Sequence, residues 1–243
     1  MIDLHCHLLP GVDDGALDLD DSVAMARVAA ADGVEAICAT PHIRHDHDVR
    51  IGEIAGRAAA LREELARRGV PLRVLPGGEV AETAVEALDD RELDLVSLGG
   101  GRRWILLEPK GGPLSDSLTA AVEHLAARGR RALVAHPERH LAEDLMPRLR
   151  ELVARGALVQ ATAAFFEDGP AAEGMLELAG AGLVHVLASD AHSSHGGRST
   201  RLSGGIARLA GASRVAPHVD WIAREAPRAI VAGEDVEPPY AAG

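Results

Sequence analysis

Short hydrophobic segments alternate along the chain with longer segments in which hydrophobic positions recur every three or four residues. The short segments have strand length, and the longer ones, rich in Ala, Leu, Glu and Arg, have helical spacing. The predicted strands are Ile2–His5, Val34–Thr40, Leu72–Gly77, Trp104–Glu108, Ala132–His136, Ala157–Gln160 and Val184–Ser189. The clearest predicted helices are Asp20–Asp32, Gly52–Arg68, Ser115–Arg128, Glu143–Arg155 and Ala171–Gly180. Seven strands separated by helical crossovers predict a parallel sheet, either a barrel or a doubly wound sheet.

The composition narrows the class of protein. A chain of 243 residues that is 47% hydrophobic can bury one sizeable core, and we expect a single domain over 1–243 with a polar tail from about residue 234 that lies over the surface or frays. A net charge of −12 and only 2% aromatic residues argue against nucleic-acid binding. With two cysteines, no signal-peptide pattern and no apolar run of about 20 residues, we expect a cytoplasmic protein without membrane insertion.

Potential metal ligands follow most of the predicted strands. His5 and His7 are two residues apart at the end of the first strand, so both imidazoles point to the same side, which favours metal binding over a packing role. Asp190 and His192 repeat this spacing at the last strand. The other candidate ligands are Asp14, His42, Glu79, Glu108 and His136. An open sheet gathers ligands at one switch point and a barrel gathers them from the whole ring, so this distribution favours a seven-stranded barrel.

Several of these positions have alternative roles. Asp13 and Asp14 could both form a turn, and we take Asp14 as the ligand and Asp13 as the turn former. Glu108 follows three aliphatic residues, where a carboxylate is costly to bury unless it binds a metal or pairs with Lys110 or an arginine. The segment 44–48 is either a loop beside the site that contacts substrate or, as we favour, a solvated loop of mixed charge.

Cys38 and Arg44 match the bare C-x5-R pattern of cysteine phosphatases. That mechanism needs a glycine-rich loop of backbone N–H donors that leads into a helix. The five intervening residues contain no glycine, and Pro41 among them has no N–H to donate. We therefore expect the Cys38 side chain to pack against its neighbours rather than to act as a nucleophile.

Taken together, the motifs resemble the polymerase-and-histidinol-phosphatase (PHP) superfamily. The segments that carry this resemblance are His5-Cys6-His7, Thr40-Pro41-His42, Glu79, Glu108, His136-Pro137-Glu138-Arg139 and Ser189-Asp190-Ala191-His192. Within the superfamily, the opening Met1–His7 followed by Val12–Gly15 is similar to the bacterial protein-tyrosine phosphatases of capsule and exopolysaccharide synthesis. Glu108, where many relatives have a histidine, points to the same branch.

The resemblance implies a trinuclear metal site at the C-terminal ends of the strands of a distorted (β/α)7 TIM-like barrel. The implied ligand sets are His5, His7, Glu79 and Asp190 for one ion, Glu79, Glu108 and His136 for the second, and Asp14, His42 and His192 for the third. The implied metal is manganese, with iron, zinc or cobalt as substitutes. Arg139 and Arg198 match phosphate-binding arginines, with surface ion pairing as the alternative, and His42 and the histidines of 45–47 are candidates for a general acid.

The activity that the resemblance implies is hydrolysis of a phosphate monoester, phosphotyrosine on a protein, through a metal-activated hydroxide. The implied partner is a bacterial tyrosine kinase of polysaccharide export. One alternative is a small-molecule phosphatase, such as a histidinol-phosphate phosphatase. An alternative of another class is a non-catalytic, metal-stabilised scaffold that binds a partner protein.

Overall fold

The computed structural model describes residues 1–140, 142–167 and 169–240, in which strands alternate with helices. The strands are β1 (Ile2–Cys6), β2 (Ala36–Ala39), β3 (His42–Ile43), β4 (Arg73–Pro76), β5 (Glu79–Ala81), β6 (Trp104–Glu108), β7 (Arg131–Val134), β8 (Leu158–Thr162) and β9 (Val186–Ala188). The helices are α1 (Leu19–Ala31), α2 (Ile54–Arg67), α3 (Asp90–Val96), α4 (Asp116–Ala127), α5 (Leu145–Ala154), α6 (Ala172–Gly180), α7 (Ser203–Gly211) and α8 (Ala226–Ala232). Each predicted strand and helix overlaps one of these elements.

The strands form two sheets, with the orders β1-β2-β4 and β3-β5-β6-β7-β8-β9. Every strand pair in them is parallel, which confirms the predicted parallel α/β fold. Parallel pairing places the carboxyl ends of the strands along one edge. The register puts His42 opposite Glu79, and Ala81 opposite Glu108. Strand pairing alone therefore brings candidate ligands from separate strands together.

Two of the predicted strands are interrupted and then resume. Pro41 separates β2 from β3, and Gly77–Gly78 separates β4 from β5. The backbone N–H of Glu79 donates to the carbonyl of Pro41 at 3.0 Å, so pairing continues past both breaks. A Cβ at Gly78 would lie 3.0 Å from side chains of β3 and α3, a close approach that glycine permits. The short strands β3 and β5, which were not predicted, carry His42 and Glu79.

The last strand lies beside the first. The backbone N–H of Asp190, just after β9, donates to the carbonyl of His5 at 2.8 Å. The backbone N–H of His7 donates to the carbonyl of Ala191 at 2.9 Å, and Cys6 forms an isolated parallel bridge with Ala191. These bonds join the two sheets at the point where β1 and β9 carry candidate ligands.

Hydrophobic residues are buried on both faces of the strands. On β6, Ile105 and Leu107 belong to a large cluster shared with the helices, whereas Trp104 and Leu106 belong to a smaller cluster on the other face. A strand buried on both faces has a continuous hydrophobic sequence, which makes it recognisable without alternation. The charged residue Glu108 at the end of such a strand is consequently conspicuous.

The regions without a predicted helix contain α3, α7 and α8. The start of α3 has a complete capping box, because the Asp89 side chain accepts from the backbone N–H of Glu92 while the Glu92 side chain accepts from that of Asp89. This signal was present in the sequence. The hydrophobic pattern does not reveal α3, because a helix of seven residues is too short for the helical periodicity to be evident.

The described part of the predicted tail packs against the rest of the chain. The indole N–H of Trp104 donates to the carbonyl of Glu234 at 2.8 Å, Val236 is buried, and the hydroxyl of Tyr240 donates to the carbonyl of Val184 at 2.8 Å. Fraying is therefore the wrong alternative for 234–240. The remainder of the predicted tail, 241–243, lies outside the described residues.

Candidate metal centre

The candidate ligands converge at the carboxyl ends of the strands. Three groups have donor atoms that all lie within 4.8 Å of one another. The groups are His7, Asp14, His42 and His192; His5, His7 and Asp190; and His42, Glu79 and Glu108. The ninth candidate, His136, contacts Glu79. The structure thus brings together all nine residues, although His42 lies closer to Glu79 and Glu108 than the implied ligand sets anticipate.

Glu79 occupies the middle of this arrangement. Its Oε1 lies 2.9 Å from Nε2 of His136. Its Oε2 lies 2.9 Å from Nδ1 of His42 and 3.3 Å from Nε2 of both His5 and His7. Burial raises the pKa of Glu79, but attraction to His5, the hydrogen bond with His136 and the nearby His42 outweigh it and hold the pKa well below its usual value. Glu79 is therefore an anion that faces four imidazoles in the interior.

The arrangement around Glu79 fits a bound cation. Among the described residues, Glu79 Oε2, His42 Nδ1 and Asp190 Oδ1 are buried without a hydrogen bond. Nε2 of His5 and Nε2 of His7 lie 3.3 Å apart, close to the separation of about 3.0–3.4 Å between donor atoms that share one ion at about 2.1 Å. Buried polar atoms without a partner are costly unless something binds them. Imidazole nitrogens with carboxylate oxygens suit a divalent transition metal.

His7 is held by Asp13, a residue that we predicted only as a turn former. Asp13 does form the turn, since Oδ1 accepts from the backbone N–H of Gly15 at 3.0 Å. Its Oδ2 also lies 2.7 Å from Nδ1 of His7 and accepts from the backbone N–H of His42 at 3.0 Å. A carboxylate can only accept, so Nδ1 of His7 carries a proton and Nε2 faces Glu79.

The charge around His7 is strongly negative. Burial lowers the pKa of His7, but Asp13 and Glu79 outweigh this effect and raise the pKa to about 10. A metal-free centre would therefore take up a proton at His7, and a bound cation would replace that proton. Burial also raises the pKa of Asp13, yet the hydrogen bond from His7 outweighs it and lowers the pKa to about 2.

His5 is oriented by a residue that the sequence analysis missed. Its Nδ1 lies 2.9 Å from Oε1 of Gln160, which is fully buried on β8. The amide oxygen accepts from Nδ1, so Nε2 is turned toward Glu79 and Asp190. A polar residue inside the hydrophobic segment Leu158–Thr162 was the available signal, and no chemistry was assigned to it.

Asp190 is shared between the centre and two arginines. Its Oδ2 accepts from Nη2 of Arg139 and lies 3.0 Å from Nη2 of Arg198, while its unbonded Oδ1 lies 3.4 Å from Nε2 of His5. The guanidinium of Arg198 also donates from Nε to the backbone carbonyl of Asp190 at 2.7 Å. The alternative of ion pairing therefore applies to both arginines, but the partner is a buried carboxylate of the centre.

Two of the candidate ligands have a strained backbone. His136 has a φ of 36° and Asp190 a φ of 49°, both in the left-handed region that residues with a Cβ rarely adopt. Each follows the end of a parallel strand, β7 or β9. Such conformations cost about 1–3 kcal/mol and persist where the surrounding structure holds them, typically at functional sites.

Glu108 combines the two roles that the sequence left open. Its Oε1 accepts from Nη1 of Arg44 at 3.0 Å, and its Oε2 lies 3.7 Å from Nδ1 of His42. Lys110, the other predicted partner, instead lies 3.0 Å from the hydroxyl of Ser117. Burial and the neighbouring Glu79 raise the pKa of Glu108.

The segment 44–48 is partly built into the centre. Arg44 is half-buried against Glu108, and Nη2 of Arg44 lies 3.1 Å from Nε2 of His47. The ring of His47 lies 4.9 Å from that of His42. The favoured prediction of a solvated loop is therefore wrong for Arg44 and His47, whereas His45 and Asp46 are exposed as expected.

Asp14 and His192 form the outer part of the centre. Oδ1 of Asp14 lies 3.4 Å from Nε2 of His42 and 3.6 Å from Nε2 of His192, and the Asp14 side chain is 53% exposed. The ring of His192 stacks on that of His7 at 3.9 Å. These two residues come from loops and are more exposed than the other ligands, which lie in strands or within two residues of a strand end.

The thiols take no part in the centre. Cys6 and Cys38 are both buried and free. Burial raises the pKa of Cys38 to about 12, so its thiolate does not form near neutral pH. The structure therefore agrees with the expectation that Cys38 packs. Separately, none of the described helices is long and apolar enough to cross a membrane.

Two proteins with similar sequences are named as tyrosine-protein phosphatases. A tyrosine-protein phosphatase, YwqE of Bacillus subtilis, is 37% identical over 199 residues, which cover 79% of this chain and 77% of that protein. The tyrosine-protein phosphatase CpsB of Streptococcus pneumoniae is 28% identical over 207 residues, covering 79% and 83%.

A solved structure and a family description extend the comparison. The crystal structure, described as YwqE from Bacillus subtilis and CpsB from Streptococcus pneumoniae, unique metal-dependent tyrosine phosphatases, matches with a TM-score of 0.84 at 28% identity and covers 100% of both chains. Residues 1–231 match the family described as capsular polysaccharide synthesis, CpsB/CapC. The chain therefore belongs to the CpsB/CapC family of capsular polysaccharide synthesis, as the motifs had indicated.

Proposed function

We propose that this protein is a metal-dependent phosphatase that hydrolyses phosphotyrosine on a protein, in the synthesis of a capsule or exopolysaccharide. The observation that carries the proposal is the convergence of four imidazoles on the buried carboxylate of Glu79, with Asp190 and Glu108 beside it. Membership of the CpsB/CapC family, whose named relatives are tyrosine phosphatases, supports the same activity.

We propose that the centre holds three manganese ions, for which iron, zinc or cobalt can substitute. The inner ions would be bound by His5, His7, Glu79 and Asp190, and by Glu79, Glu108 and His136. The outer ion would be bound by Asp14, His42 and His192. Support comes from the distances among these donors and from a donor set that mixes imidazole with carboxylate oxygen.

The chemistry divides between the metal and the protein. Bound divalent ions lower the pKa of water toward neutrality and neutralise phosphoryl oxygens. Arg139 and Arg198, whose side chains are 35% and 26% exposed beside Asp190, would donate to the phosphoryl oxygens through charge-assisted bonds. Both guanidiniums are already oriented by Asp190, so little ordering remains when a phosphate binds.

The leaving group reduces the demand on a general acid. A phenol has a pKa of about 10, so its anion leaves more readily than an alkoxide. The candidate proton donors are His42 and His47, whose rings lie 4.9 Å apart. His42 is assigned to the outer ion, and a metal-bound imidazole is a poor proton donor, so His47 is the better candidate. His47 is held by Arg44, which in turn contacts Glu108, so a proton donor at this position would be oriented relative to the centre.

We further propose that the strands close into a distorted (β/α)7 barrel that forms one domain. The interrupted pairs β2/β3 and β4/β5 each count as one strand, which leaves seven. The hydrogen bonds of His5 with Asp190 and of His7 with Ala191 support closure between the first and last strands. Closure would explain why ligands from β1 and β9 meet at one centre.

We also propose a cytoplasmic location and a protein substrate. Two buried cysteines that are both free support a cytoplasmic location, where thiols remain reduced. The substrate would be a phosphotyrosyl protein, a bacterial tyrosine kinase of polysaccharide export. The capsule-synthesis description of the family supports this assignment.

The test is purification with manganese followed by an assay of phosphotyrosyl and phosphoseryl peptides beside histidinol phosphate. We expect turnover of the phosphotyrosyl peptide to exceed the other two, to stop after prolonged chelation and to return with Mn²⁺. Preferential turnover of histidinol phosphate would support the small-molecule alternative. Metal binding without turnover of any substrate would support the scaffold alternative.

A further inference from the structure

The loop that follows β9 lies along one face of α1. This segment, which we call the β9 loop, spans 190–202 and carries His192 and Arg198. It is anchored at Asp21, Met25 and Asp32. The intervals of four and seven residues place these anchors on one face of the helix. The anchoring contacts are those of Ser193 and Ser194 with Asp21, of Thr200 with Met25, and of Leu202 and Ser203 with Asp32.

Asp21 accepts three of these hydrogen bonds and a fourth from the loop that precedes α1. Its Oδ1 accepts from the backbone N–H of Ser194 at 2.8 Å and from the Ser194 hydroxyl at 2.6 Å. Its Oδ2 accepts from the hydroxyl of Ser193 at 3.1 Å and from the backbone N–H of Leu17 at 3.0 Å. Asp21 is only 3% exposed, and all four donors are neutral N–H or O–H groups. Burial of a charged carboxylate is costly, so the four hydrogen bonds are needed to hold Asp21 in place.

The charge on Asp21 is stable. It lies in the first turn of α1, where the helix dipole favours an anion. Burial raises the pKa of Asp21, but the hydrogen bonds from Ser194 and the other donors outweigh it and lower the pKa to about 2. Asp21 therefore remains an ionised carboxylate, able to accept all four hydrogen bonds, near neutral pH.

The donors to Asp21 belong to two different loops of the centre. Leu17 lies in the loop between β1 and α1, which carries Asp14, and Ser193 and Ser194 lie in the β9 loop next to His192. Oδ1 of Asp14 lies 3.6 Å from Nε2 of His192, and neither residue is within a strand. The separation of these two ligands consequently depends on contacts between the loops.

We propose that Asp21 is a positioning residue for the outer metal group, composed of Asp14, His42 and His192. The inference rests on the proposed function, because it requires these residues to bind a metal. Asp21 holds the two loops in one relative position, so Asp14 and His192 face the same point. The inner residues lie in strands or within two residues of a strand end, and none of the four hydrogen bonds to Asp21 comes from them.

The test compares D21N with D32N in the full-length protein by equilibrium dialysis against Mn²⁺ and elemental analysis. Asp32 is a matched control, because its carboxylate accepts from the backbone N–H of Leu202, at the end of the same β9 loop, and of Ser203, the first residue of α7, both beyond Arg198. We expect D21N to weaken binding of one Mn²⁺, the outer ion, about tenfold and to leave the others unchanged. D32N should retain wild-type affinity. Turnover of p-nitrophenyl phosphate by D21N should recover in excess Mn²⁺.

A second variant protects the test against loss of folding. The double variant S193A/S194A removes two hydroxyl donors from the loop and keeps the carboxylate. It should weaken binding of the same Mn²⁺ ion, and it replaces D21N in the test if D21N does not fold. Wild-type Mn²⁺ affinity in both variants, or equal weakening by D32N, would overturn the positioning role alone. Absence of Mn²⁺ binding by the wild-type protein would overturn the proposed function as well.

Discussion

Oδ2 of Asp13 lies 2.7 Å from Nδ1 of His7, and the same oxygen accepts from the backbone N–H of His42. One buried carboxylate thus orients an imidazole from β1 and fixes the backbone at the start of β3. Carboxylates that bind the second nitrogen of a metal-ligating histidine commonly strengthen metal binding. Asp13, which we predicted only as a turn former, therefore also helps to position the candidate ligands His7 and His42.

Replacement of Asp13 by Asn should weaken Mn²⁺ binding about 10- to 100-fold, because an amide is a poorer acceptor for the Nδ1 proton of His7. Equilibrium dialysis with elemental analysis measures the effect. Asp18→Asn is the control, since Asn caps a helix as well as Asp does and should leave both stability and metal affinity unchanged. Wild-type metal affinity in Asp13→Asn would contradict the role assigned to this hydrogen bond.

Gly15→Ala should destabilise the protein by about 1–3 kcal/mol and disturb the centre, since a Cβ there would lie 2.3 Å from the carbonyl oxygen and 2.4 Å from the Cβ of His7. Urea denaturation and Mn²⁺ content measure the two effects. Gly52→Ala is the matched control because nothing lies within 4 Å of its added Cβ. Equal stability of both variants would show that the loop moves without cost.

His136→Ala and Arg139→Ala should differ in metal content. His136 contacts Glu79 and is proposed as a ligand, so its loss should lower bound Mn²⁺ as well as turnover. Arg139 shares Oδ2 of Asp190 with Arg198, so Arg139→Ala should keep its metal while the rate falls about 10²–10³-fold. Arg139→Lys should restore only part of the rate, because an ammonium lacks the planar fork.

Elemental analysis decides between these outcomes. Loss of metal in Arg139→Ala alone, or wild-type kcat/KM with metal retained, would mean that Arg139 does not bind phosphate.

Cys38→Ser should retain most of the activity, since burial raises the pKa of this thiol to about 12 and keeps it protonated. The hydroxyl would be buried, so stability can fall by about 1–3 kcal/mol. Turnover of p-nitrophenyl phosphate per folded molecule is the relevant measurement. A loss of several orders of magnitude in a folded variant would restore the cysteine-phosphatase mechanism.

His185 should make stability depend on pH. Burial lowers its pKa to about 4 from a usual 6.5, so the folded protein holds it neutral. The contribution of neutral His185 to the free energy of unfolding is fully present above pH 6.5. It falls by roughly 3 kcal/mol in total as the pH falls from 6.5 toward 4. Urea denaturation of the metal-free protein should show this extra loss in the wild type but not in His185→Gln. Parallel pH profiles of the two proteins would refute it.

The sequence determined where seven of the nine strands lie and which residues could bind a metal. Strands such as β6 are buried on both faces, so they stand out as hydrophobic runs, and a charged or polar residue such as Glu108 or His42 stands out at or near their ends. Parallel order then places those ends along one edge. For these features, local composition and the topology of the crossovers were sufficient.

Only the tertiary structure decided which residues support the ligands. Gln160 orients His5 across 155 residues, Arg44 contacts Glu108 across 64, and Asp21 meets Ser193 across 172. Each supporting residue has an ordinary local role, in a strand, a loop or a helix, and its polar partner becomes adjacent only after the strands pair. Hydrogen bonds are short and directional, so no spacing in the sequence records these contacts.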